Sequence, residues 1–487
     1  MKRWLLMLIL ALACEGHFAF GSSENLRVSA QDNLRYQLDC LARLVRCTVA
    51  PSALRSEIES NPTAARKLDE WRAARNRLAT LAQSTARSTS PLPPIADLAS
   101  HSGRQTNGAR TLAGRTTSFD DPVQHQLIAY FSPLFAKDWQ DTDRTSLGRM
   151  KVQMQSIFER GDMRDLLARI RQFLIAPADA PPTATLIAIP GASAGSLATL
   201  DDNLIYVEVP RGDSAENRLP VLAHEYIHFW LAHQTSEQSR QLSDAFARST
   251  HRCNVVAFGL FEEALASALG NGVVEQQLST PAAFDAYLAV PDSFYADTNI
   301  DILAKAILPT VNAYVARGRR IDNEFVDTFI AQTEAALGDG CESISLGMRT
   351  SAMVLSSDSF LEVGALARAR WRTSTVLTDV RTGVSDTHPM TALQHYELLS
   401  GIVMTTSQAL NDMTVLPAAL RQALITIQNE YGRFVYSWPR ARGADIYIVV
   451  GADNDATIGT MVQLIALRER RFTGLWVPPA LPQSSTD

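Results

Sequence analysis

The sequence predicts a helix-rich α+β chain, on three observations. Most of its 487 residues lie in stretches whose apolar side chains recur three and four positions apart, the period of a helix with one buried face. Two short runs, Thr183 to Ile189 and Leu204 to Val209, are instead β-branched or apolar apart from Glu208, and a Gly, Ala and Ser-rich turn ending in Asp201-Asp202-Asn203 separates them. A third such run, Ile446 to Val450, lies near the C-terminus.

At the N-terminus, Lys2 and Arg3 precede an apolar run from Trp4 to Ala13 that is too short to span a bilayer as a permanent helix. Residues 1–21 therefore read as a signal peptide. Ala19-Phe20-Gly21 offers small residues for cleavage before Ser22, while Leu10-Ala11-Leu12-Ala13-Cys14 resembles a bacterial lipoprotein signal, with Cys14 as the anchored residue. Both routes place the mature chain outside the cytoplasm, periplasmic or secreted, with membrane contact only through a lipid anchor at Cys14. Residues 22–83 have helical spacing, as in Leu34, Leu38, Leu41 and Val45, and are expected to form a helical module. A Ser, Thr, Ala, Gly and Pro-rich linker follows over 84–117, including Ser90-Pro91-Leu92-Pro93-Pro94.

Residues 118–440 form the main expected domain. Helical pattern runs from Pro122 to Ile175 and ends at Ala176-Pro177; the two strands come next, as a hairpin or as neighbours. A helix is expected from near Asn217 to about His233, with Pro220 in its first turn, and further helices over 261–269, 301–317, 322–337, 359–375 and 391–409. Residues 441–487 are expected to form a small β-α-β tail. Its Gly451 is followed by Asp453 and Asp455, which would repel a phosphate.

Composition excludes several classes. A net charge of −6 without basic runs argues against binding nucleic acid or an anionic lipid surface, because both need clustered Lys and Arg. Setting Cys14 aside, Cys40, Cys47, Cys253 and Cys341 form an even set suited to an oxidising compartment. The favoured pairing is Cys40 with Cys47 and Cys253 with Cys341. Seven residues along a straight helix is about 10 Å, beyond disulfide reach, so the local pair requires the helix to end between its members.

The segment His224-Glu225-Tyr226-Ile227-His228 carries the chemistry. Residues four apart share a helix face, so both histidines can present a ring nitrogen to one zinc ion. Glu225 sits about 100° round the helix, placed to take a proton from water rather than to bind the metal. Zinc lowers the pKa of water, the carboxylate accepts the proton, and the hydroxide attacks a carbonyl polarised by the metal. A catalytic zinc usually has a third protein ligand, and Phe261-Glu262-Glu263-Ala264-Leu265-Ala266 supplies carboxylates on a downstream helix.

Over residues 183–272 the chain resembles the HExxH zinc metallopeptidases of the gluzincin type. That resemblance implies a zincin-like catalytic domain with a short β-sheet preceding the HExxH helix, and peptide or protein substrates. Matching Glu-Glu-Ala-Leu-Ala to the gluzincin Asn-Glu-Gly-Leu-Ala pattern makes Glu263 the third ligand beside His224 and His228, with Glu262 as the alternative. A metzincin arrangement is excluded, because Gln234 stands where its third histidine would be. Asp386-Thr387-His388-Pro389 resembles the His-Pro motif of the CAAX-type and heat-shock-type membrane metalloproteases, which implies His388 as an oxyanion-stabilising donor. Those enzymes have membrane helices and an acidic residue four after the ligand glutamate, where this chain has Ala266 and Ser267. Leu204 to Val209 reads either as an edge strand that pairs with an extended peptide or as an interior strand. The alternative to a peptidase is a binding or assembly protein of the same fold that keeps metal without turnover.

Overall fold

A computed structural model of the chain describes residues 26–44, 47, 52–87, 122–139, 141–176, 183–189, 198–201, 204–210, 212–373, 375–380, 393, 396–413, 416–440 and 444–479. The expected signal peptide, Cys14, most of the expected linker, His388 and His395 lie outside the described residues. The chain is helix-rich with two small mixed sheets, α+β as the periodicities imply. Among the described residues no helix is long and apolar enough to cross a membrane.

The first sheet has the order β1-β2-β4-β3, from Leu26–Arg27, Thr183–Ile189, Leu204–Pro210 and Ala198–Asp201. The two strands expected as a hairpin or neighbours are parallel neighbours. The intervening β3 pairs antiparallel with β4. Both edges of β4 are therefore occupied, so it is the interior strand of the two alternatives and cannot accept an extended peptide; among the described residues the free edge of this pair is that of β3. β4 is buried almost throughout, as a strand covered on both faces must be. Helix α1 (Ala30–Leu41) covers β2 beyond the short β1. The side chain of Asn33, fully buried, donates to the Leu186 carbonyl at 3.0 Å and accepts from the Ala188 N–H at 2.9 Å, standing in for the missing strand.

N-terminal helices α2 (Ala53–Ser60) and α3 (Pro62–Arg87) pack with α1, and α3 continues four residues past the expected start of the linker. Their core is closed by α4 (Pro122–Asp138), whose Phe131 and Phe135 meet Leu34, Leu38, Ile58 and Trp71. Trp71 and Arg75 both donate to the buried Asp39 carboxylate. Cys40 and Cys47 are bonded, and α1 ends at Leu41 between them, as their pairing requires. Helices α5 (Asp141–Glu159) and α6 (Gly161–Phe173) then lead to the first sheet.

Beyond the sheet come α7 (Ala215–Ala232), α8 (Ser236–Arg248), α9 (Asn254–Ser267), α10 (Pro281–Ala289), α11 (Thr298–Ala316) and α12 (Asn323–Leu337). Their apolar faces form one core, with Phe246, Phe261 and Phe329 in mutual edge-to-face contact at its centre and Phe325 tilted against Phe329. The Cys253–Cys341 bond ties the residue before α9 to the segment after α12.

A second sheet occupies the rest of the chain in the order β10-β8-β9-β7-β5-β6. Its strands are β5 (Thr350–Leu355), β6 (Thr375–Val380), β7 (Ser400–Thr406), β8 (Phe434–Pro439), β9 (Asp445–Gly451) and β10 (Gly474–Trp476). Side chains alternate between two cores. Ala352 and Val354 join the main core, whereas Met353 and Leu355 pack under α13 (Leu361–Trp371) and α15 (Asn454–Leu467). The helix expected over 391–409 is instead interrupted by β7, whose Gly401-Ile402-Val403-Met404 run is buried on both faces. A short apolar run of this kind has no period to separate strand from helix. Nor is 441–487 a separate tail: β9 and β10 do not pair, because β8 lies between them, preceded by α14 (Ala418–Tyr431).

Candidate metal centre

Helix α7 begins two residues before the expected Asn217. Ser214 caps it by accepting from the Asn217 N–H, so Pro220 sits in the second turn. His224 and His228 fall on one face, both buried, with their Nε2 atoms 2.9 Å apart. Facing them is α9, nearly every residue of which is buried, including Glu262 and Glu263.

Adjacent carboxylates take opposite sides of one ring. Glu263 Oε2 lies 3.4 Å from His228 Nε2 and 3.6 Å from His224 Nε2, while Glu262 Oε1 is 2.7 Å from His228 Nδ1. His228 Nδ1–H therefore donates to Glu262, which fixes the ring and turns Nε2 toward Glu263. Among the described residues neither Glu263 Oε2 nor His224 Nδ1 has a hydrogen-bond partner, although both are buried. Ligand atoms about 2.0–2.1 Å from a tetrahedral zinc stand about 3.3 Å from one another, and edges of 2.9, 3.4 and 3.6 Å fit that triangle. His224, His228 and Glu263 therefore form a group that could hold a metal ion.

Electrostatics agree with that fit. Burial opposes a charge on His228, but the Glu263 and Glu262 carboxylates outweigh it and hold the imidazolium well above its ordinary pKa. Burial likewise raises the Glu263 carboxyl, and the two rings beside it overcome this, holding it far below the usual range. The cluster is thus built around positive charge, supplied by a proton on His228 or by a cation in its place.

A glycine sets the distance between the helices. α9 continues into a π-helical stretch, Ala268–Val274, which packs on α7. A Cβ on Gly270 would meet the His224 N and Cα at 2.7 and 2.8 Å and the Pro220 carbonyl at 2.8 Å, all backbone atoms. Gly270→Ala is therefore expected to force α7 away, lowering stability by about 1–3 kcal/mol and weakening zinc binding, as read by melting temperature and zinc titration. An unchanged zinc affinity would show that the helix spacing does not hold the triangle.

The structure adds a residue that sequence reasoning missed. The Tyr295 ring stacks on His224, with centroids 5.9 Å apart. Its hydroxyl reaches Glu263, and burial, then the Glu263 and Glu225 charges, push its pKa well above the ordinary phenol value, so it stays protonated. The loop 290–297 holding it is fastened from three directions. Asp301 accepts from the Asp292 and Phe294 N–H groups, the Asn271 side chain donates to the Phe294 carbonyl at 2.5 Å, and the Tyr287 hydroxyl donates to the Ser293 carbonyl at 2.6 Å. Pro291-Asp292-Ser293 signals a turn, but no local pattern places that turn against His224.

Of the residues the sequence nominated, His224, His228 and Glu263 are brought together. Glu262 holds His228 from behind, and Glu225 lies half-buried beside them with its charge felt by Tyr295. His233 caps α7 and contacts the Phe229 carbonyl through Nδ1, away from the triangle. No family model, curated protein or solved structure matches the chain.

Proposed function

We propose that the protein is a zinc-dependent peptidase of zincin-like architecture that acts outside the cytoplasm. The observation that carries this reading is the triangle of His224 Nε2, His228 Nε2 and Glu263 Oε2, together with the Glu225 carboxylate, whose charge acts with that of Glu263 on the Tyr295 hydroxyl. These three atoms would hold the zinc; when bound, it supplies Lewis acidity that lowers the pKa of water and polarises a substrate carbonyl. Glu225, not engaged in the triangle, takes the proton from the attacking water and returns it to the departing amine. Tyr295, kept protonated, donates its hydroxyl to the carbonyl oxygen as negative charge develops there. Glu262 keeps the His228 ring oriented. A substrate in extended conformation would add to the free edge of β3, since β4 is enclosed. Export is supported by the signal-like N-terminus and by two disulfides.

The test is metal analysis of the purified chain together with a broad peptide library. Stoichiometric zinc and chelator-sensitive cleavage are expected. Stoichiometric zinc without cleavage would replace the peptidase with a metal-retaining binding protein, and absence of zinc would remove both.

A pH dependence follows from His228. Its folded-state pKa is raised, so its proton stabilises the metal-free fold below the ordinary imidazole value, and that contribution is lost as pH climbs through the folded value. Zinc must displace this proton. Zinc affinity is therefore expected to rise by about tenfold per pH unit from pH ~6 up to the folded value, read by competition titration. A flat profile across that range would contradict the proton on His228.

A further inference from the structure

Four residues before Glu263, on the same face of α9, Gly259 makes room for Arg349: a Cβ there would lie 3.0 Å from the Arg349 Cβ. Arg349 donates through Nη2 to Asp297 at 2.5 Å and through Nη1 to the Arg372 carbonyl at 3.2 Å. Asp297 follows Tyr295 by two residues, caps α11, and contributes to the field at the Tyr295 hydroxyl. Burial acts to raise its carboxyl, and the Arg349 guanidinium outweighs this and holds it below the usual range. Arg372 also donates to Asp297, from Nη1 to the same Oδ2 at 2.9 Å.

The two arginines differ in exposure. The Arg349 and Asp297 side chains are 8% and 6% exposed, whereas that of Arg372 is 61% exposed. Asp297 thus has a buried partner in Arg349, and Arg372 spends one nitrogen on the carboxylate and turns the rest of its fork to solvent. A guanidinium fork matches a carboxylate in two parallel bonds. Arg372 also has left-handed backbone, φ 49°, at the end of α13, where glycine is the residue without a steric penalty. An arginine stands there against its backbone preference.

Gly259 and Glu263 are about 6 Å apart along α9. That rise equals the length of about two residues of extended peptide at ~3.3 Å each, and Arg349 beside Gly259 is joined to Arg372 through Asp297. We propose that Arg372 recognises a carboxylate of the substrate, the C-terminal carboxylate of a peptide or an acidic side chain a few residues from the scissile bond. The proposal rests on the peptidase reading for its choice of ligand.

Binding tests it without requiring turnover. The probe is a fluorescent octapeptide pool of mixed uncharged sequence, prepared as free acids, as C-terminal amides, and as amides carrying one internal glutamate. The protein is full-length Glu225→Gln, with zinc added. A carboxylate-bearing pool is expected to bind about tenfold more tightly than the uncharged amides, a preference that falls to within about twofold when Arg372→Gly is added. Glycine suits the left-handed backbone, so melting temperature and zinc content should hold in that variant. Preference for the free acids alone assigns the site to a chain terminus, and preference for the glutamate pool alone assigns it to a side chain. Equal or undetectable binding of all three pools, or a preference that survives Arg372→Gly, overturns the proposal. If the wild type prefers carboxylates yet cleaves no peptide, the peptidase reading fails and the carboxylate site stands; cleavage without that preference does the reverse.

Discussion

Glu225→Gln is expected to lower peptide hydrolysis by about 10²- to 10⁴-fold while the protein keeps its zinc and its fold. The amide has the shape of the carboxylate but cannot accept the proton of the attacking water, so the loss should appear in kcat rather than in KM. Zinc should remain because Glu225 is not part of the triangle formed by His224, His228 and Glu263. Stability should change little, since Glu225 is only half-buried. A variant that retains more than about a tenth of the wild-type rate would show that another group takes the proton. A variant that also loses its zinc would place Glu225 among the ligands.

Glu263→Gln and Glu262→Ala separate the roles of two neighbouring carboxylates. Removing the Glu263 charge takes one donor from the triangle, and zinc affinity should fall by more than about 100-fold. Truncating Glu262 leaves all three donors but frees the His228 ring, for which a loss of about 10- to 100-fold is expected. Both variants should also lower the pKa of His228 in the metal-free protein, because each removes a charge that holds its proton, with Glu263 the stronger of the two. Imidazole resonances in a metal-free NMR titration would show this directly. If Glu262→Ala empties the site while Glu263→Gln does not, the two roles are reversed.

Several parts of this protein follow from local sequence. The four-residue spacing of His224 and His228 puts both on one face of any helix that contains them, and the surrounding apolar period makes that helix. The end of α1 between Cys40 and Cys47 is a requirement of disulfide reach, and the chain meets it. Both glutamates on α9 were legible as candidates, whereas the strand between β2 and β4 and the helix between α7 and α9 were not.

What the sequence left open was decided by packing between distant segments. Glu262 and Glu263 differ by one residue, about 100° of helix rotation, and only the docking of α9 on α7 sends one to Nε2 and the other to Nδ1. That docking depends on Gly270, where any Cβ would strike the backbone of α7. β4 looked like a possible edge strand because pairing partners are not written in a strand's own residues; β2 and β3 enclose it. Tyr295 and Arg372 carry no local signal, since a tyrosine after a turn and an arginine after a helix are ordinary in any chain. Periodicity is a property of neighbours a few residues apart, so it fixes helices and the faces they present. Which faces meet depends on shape and charge across segments about 30 to 150 residues apart, and there the tertiary structure alone links His224, Glu263, Tyr295 and Arg372 in one series of contacts.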